Sequence, residues 1–224
     1  MTATGAPQSS PSVLGTDEAI GFWDARHRRA GALSSGGDIG DGEVVNAVFY
    51  ALRLGRIIDL IGDMTEPASP LRVLDAGCGK GWFSRSLATC GHRVDGIDTS
   101  EHAIQECRRQ AVGRDTYAVS RLDAWAPPYL YDVVVSVDVL FHVMDDEVWE
   151  ASVANLASLV RWGGRLLLAD HDGDVDRVHG AYQKTRAGHR YRDLVSSLGF
   201  RSDGFDPYRF RRHPGGFHAF TRVA

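Results

Sequence analysis

The chain has 224 residues, of which 43% are hydrophobic and 24% are charged, a composition that argues against a wholly disordered protein. Its formal net charge of −4 lacks the basic excess expected of a protein that coats duplex nucleic acid. Three cysteines without a CxxC pair indicate neither a disulfide framework nor a cysteine-rich zinc site.

The first 64 residues are predicted to form a disordered tail followed by helices. Residues 1–16 are small and polar, and they lack the basic start and apolar core of a secretory signal. Residues 17–64 contain a basic run, a Gly/Ser loop at 34–42, and then apolar residues at three- and four-residue spacing that predict an amphipathic helix. No stretch approaches the roughly 20 apolar residues of a membrane helix, so we expect a cytoplasmic protein.

From Leu71 to Ala224, strand and helix signals alternate and predict one domain. Seven strands are expected, at residues 73–74, 94–97, 117–119, 131–137, 165–169, 200–205 and 217–223. The intervening helices are expected at 83–90, at 101–112, from about 145, and around 190–198. Ser100 is the expected N-cap of the second helix. The buried stripe of the third helix ends at Val160, before Gly163-Gly164. This alternation predicts an α/β fold with a doubly wound, mostly parallel seven-stranded sheet that binds ligands at the carboxyl ends of its strands.

The most informative segment is Val73-Leu74-Asp75-Ala76-Gly77-Cys78-Gly79-Lys80-Gly81, at a predicted strand-to-helix junction. Its glycines permit a tight turn and let a ligand approach the backbone, while the following helix start offers unpaired N–H groups. The segment is not a dinucleotide fingerprint, because the third glycine of G-x-G-x-x-G is replaced by Trp82 or Ser84, depending on the starting glycine. An NAD oxidoreductase is therefore the weakest interpretation.

This segment resembles the first strand and loop of the class I S-adenosylmethionine-dependent methyltransferases. Later segments match that family in the same order, namely Gly96-Ile97-Asp98-Thr99-Ser100, Leu122-Asp123-Ala124-Trp125, Tyr131-Asp132-Val133-Val134 and Val139-Leu140-Phe141-His142-Val143. Arg161-Trp162-Gly163-Gly164 stands where the family usually has a Lys-Pro-Gly-Gly turn. The resemblance covers about residues 71–223 and implies a Rossmann-like methyltransferase fold with an N-terminal helical lid.

The resemblance also implies that S-adenosylmethionine is the cofactor and which residues hold it. The glycine loop would wrap the methionine moiety, and Asp98 would accept hydrogen bonds from both ribose hydroxyls. Asp123 would accept the adenine amino group beside the Ala124 N–H, and Ser136 would line the methionine side. The full predicted set is Asp75, Ala76, Gly77, Cys78, Gly79, Asp98, Thr99, Asp123, Ala124 and Ser136.

The sequence carries no strong catalytic signature, as expected for a donor that is already activated and needs mainly alignment with the acceptor. If the acceptor must lose a proton, His142, Asp138 and His171 are the candidate bases or substrate contacts, although a packing or substrate-wall role is favoured for His142. Asp138 could also join Asp170 and Asp172 around Mg²⁺, but the sequence does not define that geometry and we predict no metal.

Two further segments are candidate covers of the site. In similar small-molecule methyltransferases the N-terminal helices form a lid, in which Phe22 and Trp23 would shield the sulfonium from water, with the Gly/Ser loop as hinge. The alternative is that both rings are ordinary core contacts. His189-Arg190-Tyr191 is expected before the last helix, either as a substrate cap or as a surface loop.

The leading hypothesis is methyl transfer to a small-molecule acceptor, with oxygen favoured over nitrogen and carbon, in a specialised metabolite. The expected partners are this acceptor and neither nucleic acid nor membrane, in a monomer or homodimer. One alternative is an RNA methyltransferase that uses the clusters Arg26-Arg28-Arg29 and Arg209-Arg211-Arg212, although no Asn/Asp-Pro-Pro-Tyr motif follows the fourth strand. Another is a non-methylating cyclase or binding module on the same fold.

Overall fold

Nine strands, seven α-helices and two short 3₁₀ helices make up the computed structural model, which describes residues 14–36, 42–64, 69–211 and 213–224. The strands are β1 (Arg72–Ala76), β2 (Arg93–Asp98), β3 (Asp115–Val119), β4 (Tyr131–Val137), β5 (Val160–His171), β6 (Arg177–Val178), β7 (Lys184–Thr185), β8 (Phe200–Pro207) and β9 (Gly215–Arg222). The helices are α1 (Thr16–Arg29), α2 (Ala32–Ser35), α3 (Glu43–Leu60), α4 (Trp82–Thr89), α5 (Glu101–Arg109), α6 (Asp146–Ser158) and α7 (Gly188–Ser197).

Seven of the strands form one sheet in the order β3-β2-β1-β4-β5-β9-β8, and β6 with β7 forms a small hairpin. Strands β1 to β5 pair in parallel, whereas β9 is antiparallel to both β5 and β8. The order along the chain reverses between β1 and β4, which opens a crevice at their carboxyl ends. The predicted doubly wound, mostly parallel seven-stranded sheet is confirmed.

The side chains of β4 alternate between the two faces of the sheet, and a hydrophobic core lies on each face. Val133 and Val135 face the layer that contains α3 and α4, while Val134 faces the layer that contains α6 and α7. The α3 residues Phe49 and Ile57 belong to the first of these cores, so most of the predicted N-terminal lid helix packs against the sheet. Of the predicted lid, α1 is the helix that lies over the crevice.

Two predicted elements differ from the structure. Val160 begins β5 and pairs with Tyr131 instead of ending the preceding helix, and residues 161–164 bulge out opposite Asp132. Burial alone cannot distinguish a helix from a strand at such a position. The segment His189-Arg190-Tyr191 lies inside α7, where Tyr191 is fully buried, and not before the helix.

Part of the expected N-terminal organisation falls outside the described ranges. The predicted tail is described only from Leu14, and α1 already begins at Thr16. Residues 37–41 of the Gly/Ser loop and 65–68 of the linker are also outside these ranges. None of the helices in the described ranges is long and apolar enough to cross a membrane.

Candidate active site

A cavity of about 810 Å³ lies at the carboxyl ends of the parallel strands, beneath α1. This volume is within the usual range for small-molecule sites. We call the wall that follows β1, β2 and β3 the glycine-loop half; it contains Gly77, Cys78, Gly79, Asp98, Thr99 and Asp123. We call a second part of the wall the β4 half; it consists of Phe49, Tyr50, Asp138, Phe141, His142, Tyr182 and His213.

The glycine loop is kept hollow by its backbone. Gly77 has φ of 84° and Gly79 has φ of 51°, a conformation that strongly favours glycine. A Cβ added to Gly77 would lie 2.3 Å from Cγ2 of Val139. The N–H groups of Gly77 and Cys78 both donate to the Ile97 carbonyl, at 2.8 and 2.9 Å, and hold the loop against the end of β2. The loop therefore presents bare backbone at Gly77 and Gly79, where an added side chain would be strained.

Asp98 joins this loop to the neighbouring strand. Its Oδ2 accepts the N–H of Gly79 at 2.9 Å, and its Oδ1 accepts the N–H of Ser100 at 2.9 Å. Each carboxylate oxygen retains a further lone pair for a hydroxyl donor. The position and chemistry of Asp98 thus fit the predicted contact with ribose, beside a loop that fits the amino-acid end of the cofactor.

Three of the predicted cofactor residues lie behind the cavity wall. Asp75 is 1% exposed and accepts a hydrogen bond from Oγ of Ser84 at 2.5 Å, and its burial raises its pKa to about 6. Ser136 donates its hydroxyl to the carbonyl of Ala76 at 2.9 Å, and both residues are buried. These three residues support the loop, and their side chains do not line the cavity.

The segment predicted to meet adenine is partly engaged within the protein. Asp123 lines the cavity but accepts two hydrogen bonds from Arg121, at 2.9 and 2.6 Å, and these bonds lower the pKa of Asp123. The Ala124 N–H donates to the Arg121 carbonyl at 3.3 Å, and Ala124 does not line the cavity. Thr99 and Cys78 do line it, and burial raises the pKa of the Cys78 thiol.

His142 is held in one orientation in the β4 half. Its Nδ1 lies 2.8 Å from the carbonyl oxygen of Tyr182, which can only accept, so Nδ1 carries the proton and Nε2 the lone pair. Burial lowers the pKa of His142 to about 4. The imidazole is therefore neutral at pH 7. The Trp23 ring lies 4.3 Å away between ring centroids and covers it from α1.

Asp138 is fixed by a residue that the sequence analysis did not identify. Arg53 of α3, whose side chain is 1% exposed, donates from Nη1 to Oδ2 of Asp138, whose own side chain is 17% exposed. The guanidinium lies over the rings of Phe49 and Tyr50, at 4.1 and 4.5 Å from their centroids. Asp138 itself has φ of 57°, a constrained backbone conformation directly after β4. One signal was available, since an arginine interrupts the apolar stripe of α3.

His171 does not line the cavity, and the three aspartates proposed for Mg²⁺ do not converge. His171 Nδ1 contacts Oδ1 of Asp170 at 3.1 Å, and the other oxygen of Asp170 accepts the hydroxyl of Tyr191. Asp172 pairs with Arg192 at 2.6 Å, and Asp138 with Arg53. Among the described residues, no group of three or more metal-ligating side chains could hold a metal ion.

Helix α1 is fastened over the cavity by hydrogen bonds in its second half and just after its C-terminal end. Asp24 accepts the hydroxyl of Ser100 at 2.7 Å and the N–H of His102 at 3.3 Å. Lys80 of the glycine loop donates to the Ala30 carbonyl at 2.8 Å. These contacts bring Trp23 and His27 into the cavity wall.

Residues 48–220 match the model of a methyltransferase domain family. The chain belongs to this methyltransferase family. The predicted membership of the S-adenosylmethionine-dependent methyltransferases is thereby confirmed, together with their cofactor and Rossmann-like fold. The positions of the glycine loop and Asp98 are consistent with the predicted contacts to S-adenosylmethionine, and these contacts stay predictions.

The methyltransferase is also similar to named proteins. Ubiquinone biosynthesis O-methyltransferase of Bordetella parapertussis is 38% identical over 116 residues, which cover 50% of this chain and 46% of the relative. The protein of the same name from Nitrosomonas europaea is 34% identical over 118 residues, covering 50% and 47%. The chain spans about half the length of these curated relatives.

Two solved structures resemble the whole described fold. Magnesium protoporphyrin IX methyltransferase of Synechocystis PCC 6803 with bound S-adenosylmethionine has a TM-score of 0.67 and 27% identity, with 91% of each chain covered. The 1,6-didemethyltoxoflavin-N1-methyltransferase of Burkholderia thailandensis has a TM-score of 0.66 and 16% identity, covering 99% of this chain and 94% of the other. The second likeness concerns the fold alone.

Proposed function

We propose that this methyltransferase transfers the methyl group of S-adenosylmethionine to an oxygen atom of a small-molecule metabolite bound in the β4 half of the cavity. The observation that carries the proposal is that one cavity joins the hollow glycine loop and Asp98 to an aromatic wall containing His142 and Asp138. The similarity to ubiquinone biosynthesis O-methyltransferases supports an oxygen acceptor.

The chain's own residues divide the work between binding and orientation. When bound, S-adenosylmethionine supplies an activated methyl group. The glycine loop and Asp98 bind the donor, while α1 with Trp23 excludes water from the cavity. Holding the acceptor in line with the methyl group accounts for most of the expected acceleration, because alignment removes much of the entropic barrier.

The β4 half suits a planar acceptor that carries a hydrogen-bond donor. Its apolar surface includes the rings of Phe49, Tyr50, Phe141 and Tyr182, and aliphatic side chains also line the cavity. Its polar groups include two hydrogen-bond acceptors, the carboxylate of Asp138 and Nε2 of His142. An acceptor hydroxyl can donate a hydrogen bond to either group, and its proton passes to the Asp138 carboxylate or to Nε2 of His142 as its oxygen takes the methyl group.

Arg53 acts in this scheme as a positioning residue. It binds one oxygen of Asp138 from behind the cavity wall and leaves the other oxygen for the acceptor. Because the guanidinium is buried among aromatic rings, it cannot swing away into solvent. Asp138 is thereby presented in one orientation.

The proposal is tested by incubating the purified protein with S-adenosylmethionine and a panel of phenolic and heteroaromatic hydroxy compounds, with detection of S-adenosylhomocysteine. A crystal containing S-adenosylhomocysteine and an active compound should place a hydroxyl oxygen about 3–3.5 Å from the methyl position. Turnover that occurs only with amine acceptors would contradict the assignment to oxygen. The cytoplasmic location, the oligomeric state and the absence of nucleic acid partners stay predictions.

A further inference from the structure

His27 of α1 is a buried polar residue in the cavity wall to which neither the sequence motifs nor the proposed function assigns a role. It is 4% exposed. A Cβ added to Gly79 would lie 3.5 Å from Nε2 of His27, which shows that the imidazole packs directly on the glycine loop. The neighbouring basic residues of α1 obscure it in the sequence, where it resembles one more member of a charged run.

The environment of His27 indicates where its proton lies. Its Nδ1 is buried and has no hydrogen-bond partner among the residues that the structure describes. Burial lowers the pKa of His27, so the ring is neutral near pH 7 and carries one proton. A buried N–H without an acceptor is rarer in proteins than an unsatisfied acceptor, because leaving a donor unpaired is costly. The proton therefore belongs on Nε2, which faces the loop.

Negative and positive side chains around His27 oppose each other. Asp98 and Asp24 bring negative charge to the ring, Lys80 and Arg26 bring positive charge, and both carboxylates are held by other donors. Asp98 accepts the N–H groups of Gly79 and Ser100, and Asp24 accepts the hydroxyl of Ser100. A ligand carboxylate beside Gly79 would meet the N–H of His27 and the start of α4.

We propose that Nε2–H of His27 donates a hydrogen bond to the carboxylate at the amino-acid end of S-adenosylmethionine. This inference rests on the proposed function, since it takes the same donor in the same loop. It makes α1 part of the cofactor site, because the tethers of Asp24 and Lys80 to the core place His27 over Gly79.

The test is calorimetric titration with two nucleosides. S-Adenosylhomocysteine has the amino-acid end, whereas 5′-methylthioadenosine has the adenosine and sulfur without it. His27→Phe keeps a ring over the loop but lacks the donor, and His27→Gln keeps an N–H at similar reach. The exposed His189 of α7 provides the control His189→Ala.

We expect His27→Phe to weaken S-adenosylhomocysteine binding about tenfold to hundredfold, as for the loss of a hydrogen bond to a charged group. Binding of 5′-methylthioadenosine should change less than twofold, and His27→Gln should recover most of the loss. An equal loss for both nucleosides, or no loss for S-adenosylhomocysteine, would overturn the inference while leaving the proposed function intact. Wild-type protein that binds neither nucleoside would instead contradict the proposed function, and the inference with it.

A measurement on the wild-type protein covers the case in which a variant fails to fold. Two-dimensional ¹H–¹⁵N NMR of the histidine side chains reports which ring nitrogen carries the proton. We expect the His27 signals, assigned by sequential NMR experiments on the wild-type protein, to show the Nε2–H form and to shift on addition of S-adenosylhomocysteine but not of 5′-methylthioadenosine. The Nδ1–H form would overturn the inference.

Discussion

The two halves of the cavity are built by different means. The glycine-loop half is mainly backbone, in which positive φ angles shape the loop and Asp98 binds main-chain N–H groups. The β4 half is made of side chains paired over long distances in the chain, since Arg53 is 85 residues from Asp138 and His142 is 40 residues from Tyr182. On the proposed assignment, the donor site relies mainly on local backbone geometry, with His27 of α1 as a distant contribution, whereas the acceptor site relies on tertiary contacts between side chains.

The strongest way to break the glycine-loop half is Gly77→Ala. The added Cβ would collide with Val139, and alanine is strained at a φ of 84°. We expect roughly hundredfold weaker calorimetric binding of S-adenosylhomocysteine. Gly91→Ala is the matched control, because Gly91 has φ of 100° but nothing within 4 Å of its added Cβ. Comparable loss of affinity in both variants would mean that backbone strain alone is responsible.

Arg53→Met tests whether the β4 half can fail on its own. Methionine preserves much of the packing against Phe49 and Tyr50 but leaves Asp138 without its partner. We expect kcat/KM for an active acceptor to fall roughly thirtyfold, about 2 kcal/mol, with S-adenosylhomocysteine affinity within twofold of wild type. The kcat/KM of Arg53→Lys should lie between the values for wild type and Arg53→Met. A matching loss of nucleoside affinity would show that the halves are not separable.

The pH dependence of the unfolding free energy tests whether His142 is buried in the β4 half. Its pKa is lowered from 6.5 to about 4 in the folded protein, so the unfolded chain binds a proton first as the pH falls. Stability that is complete above pH 6.5 is therefore lost progressively down to about pH 4. In His142→Gln, the decrease in unfolding free energy between pH 7 and pH 5, measured in urea, should be smaller than in wild type by between about 1 and 2 kcal/mol. An unchanged decrease would place His142 in solvent.

The smallest expected effect concerns Trp23 of α1, the helix that lies over the cavity. Trp23→Ala removes the ring that packs on His142 and lines the cavity. We expect the acceptor KM to rise about fivefold while the melting temperature changes little, since α1 remains held by Asp24 and Lys80. Wild-type kinetics with a lowered melting temperature would make Trp23 an ordinary core contact.

The elements that were predicted correctly are those determined by local chemistry. The β-branched run at 131–137 forms the central strand β4, and Ser100 caps α5 by accepting the N–H of Ala103 at 3.2 Å. The glycine loop follows β1 as expected because its backbone geometry is a property of a few adjacent residues.

The features that were missed depend on neighbours far away in the sequence. Val160 is buried in β5, and burial is also what the predicted helix would require of it. Only its pairing with Tyr131 makes it a strand residue. Arg53 and His27 each interrupt a local pattern, and their roles follow from what α3 and α1 pack against. The internal bond from Ala124 to Arg121 likewise could not be inferred from residue types.

The central claim is that the glycine loop and Asp98 together bind S-adenosylmethionine. Its most direct test is calorimetric titration of S-adenosylhomocysteine into wild-type protein and Asp98→Ala. The structure predicts a one-to-one complex for wild type and at least tenfold weaker binding for the variant, because Asp98 also ties down Gly79. Wild-type affinity in Asp98→Ala, or no binding heat in either protein, would contradict the claim.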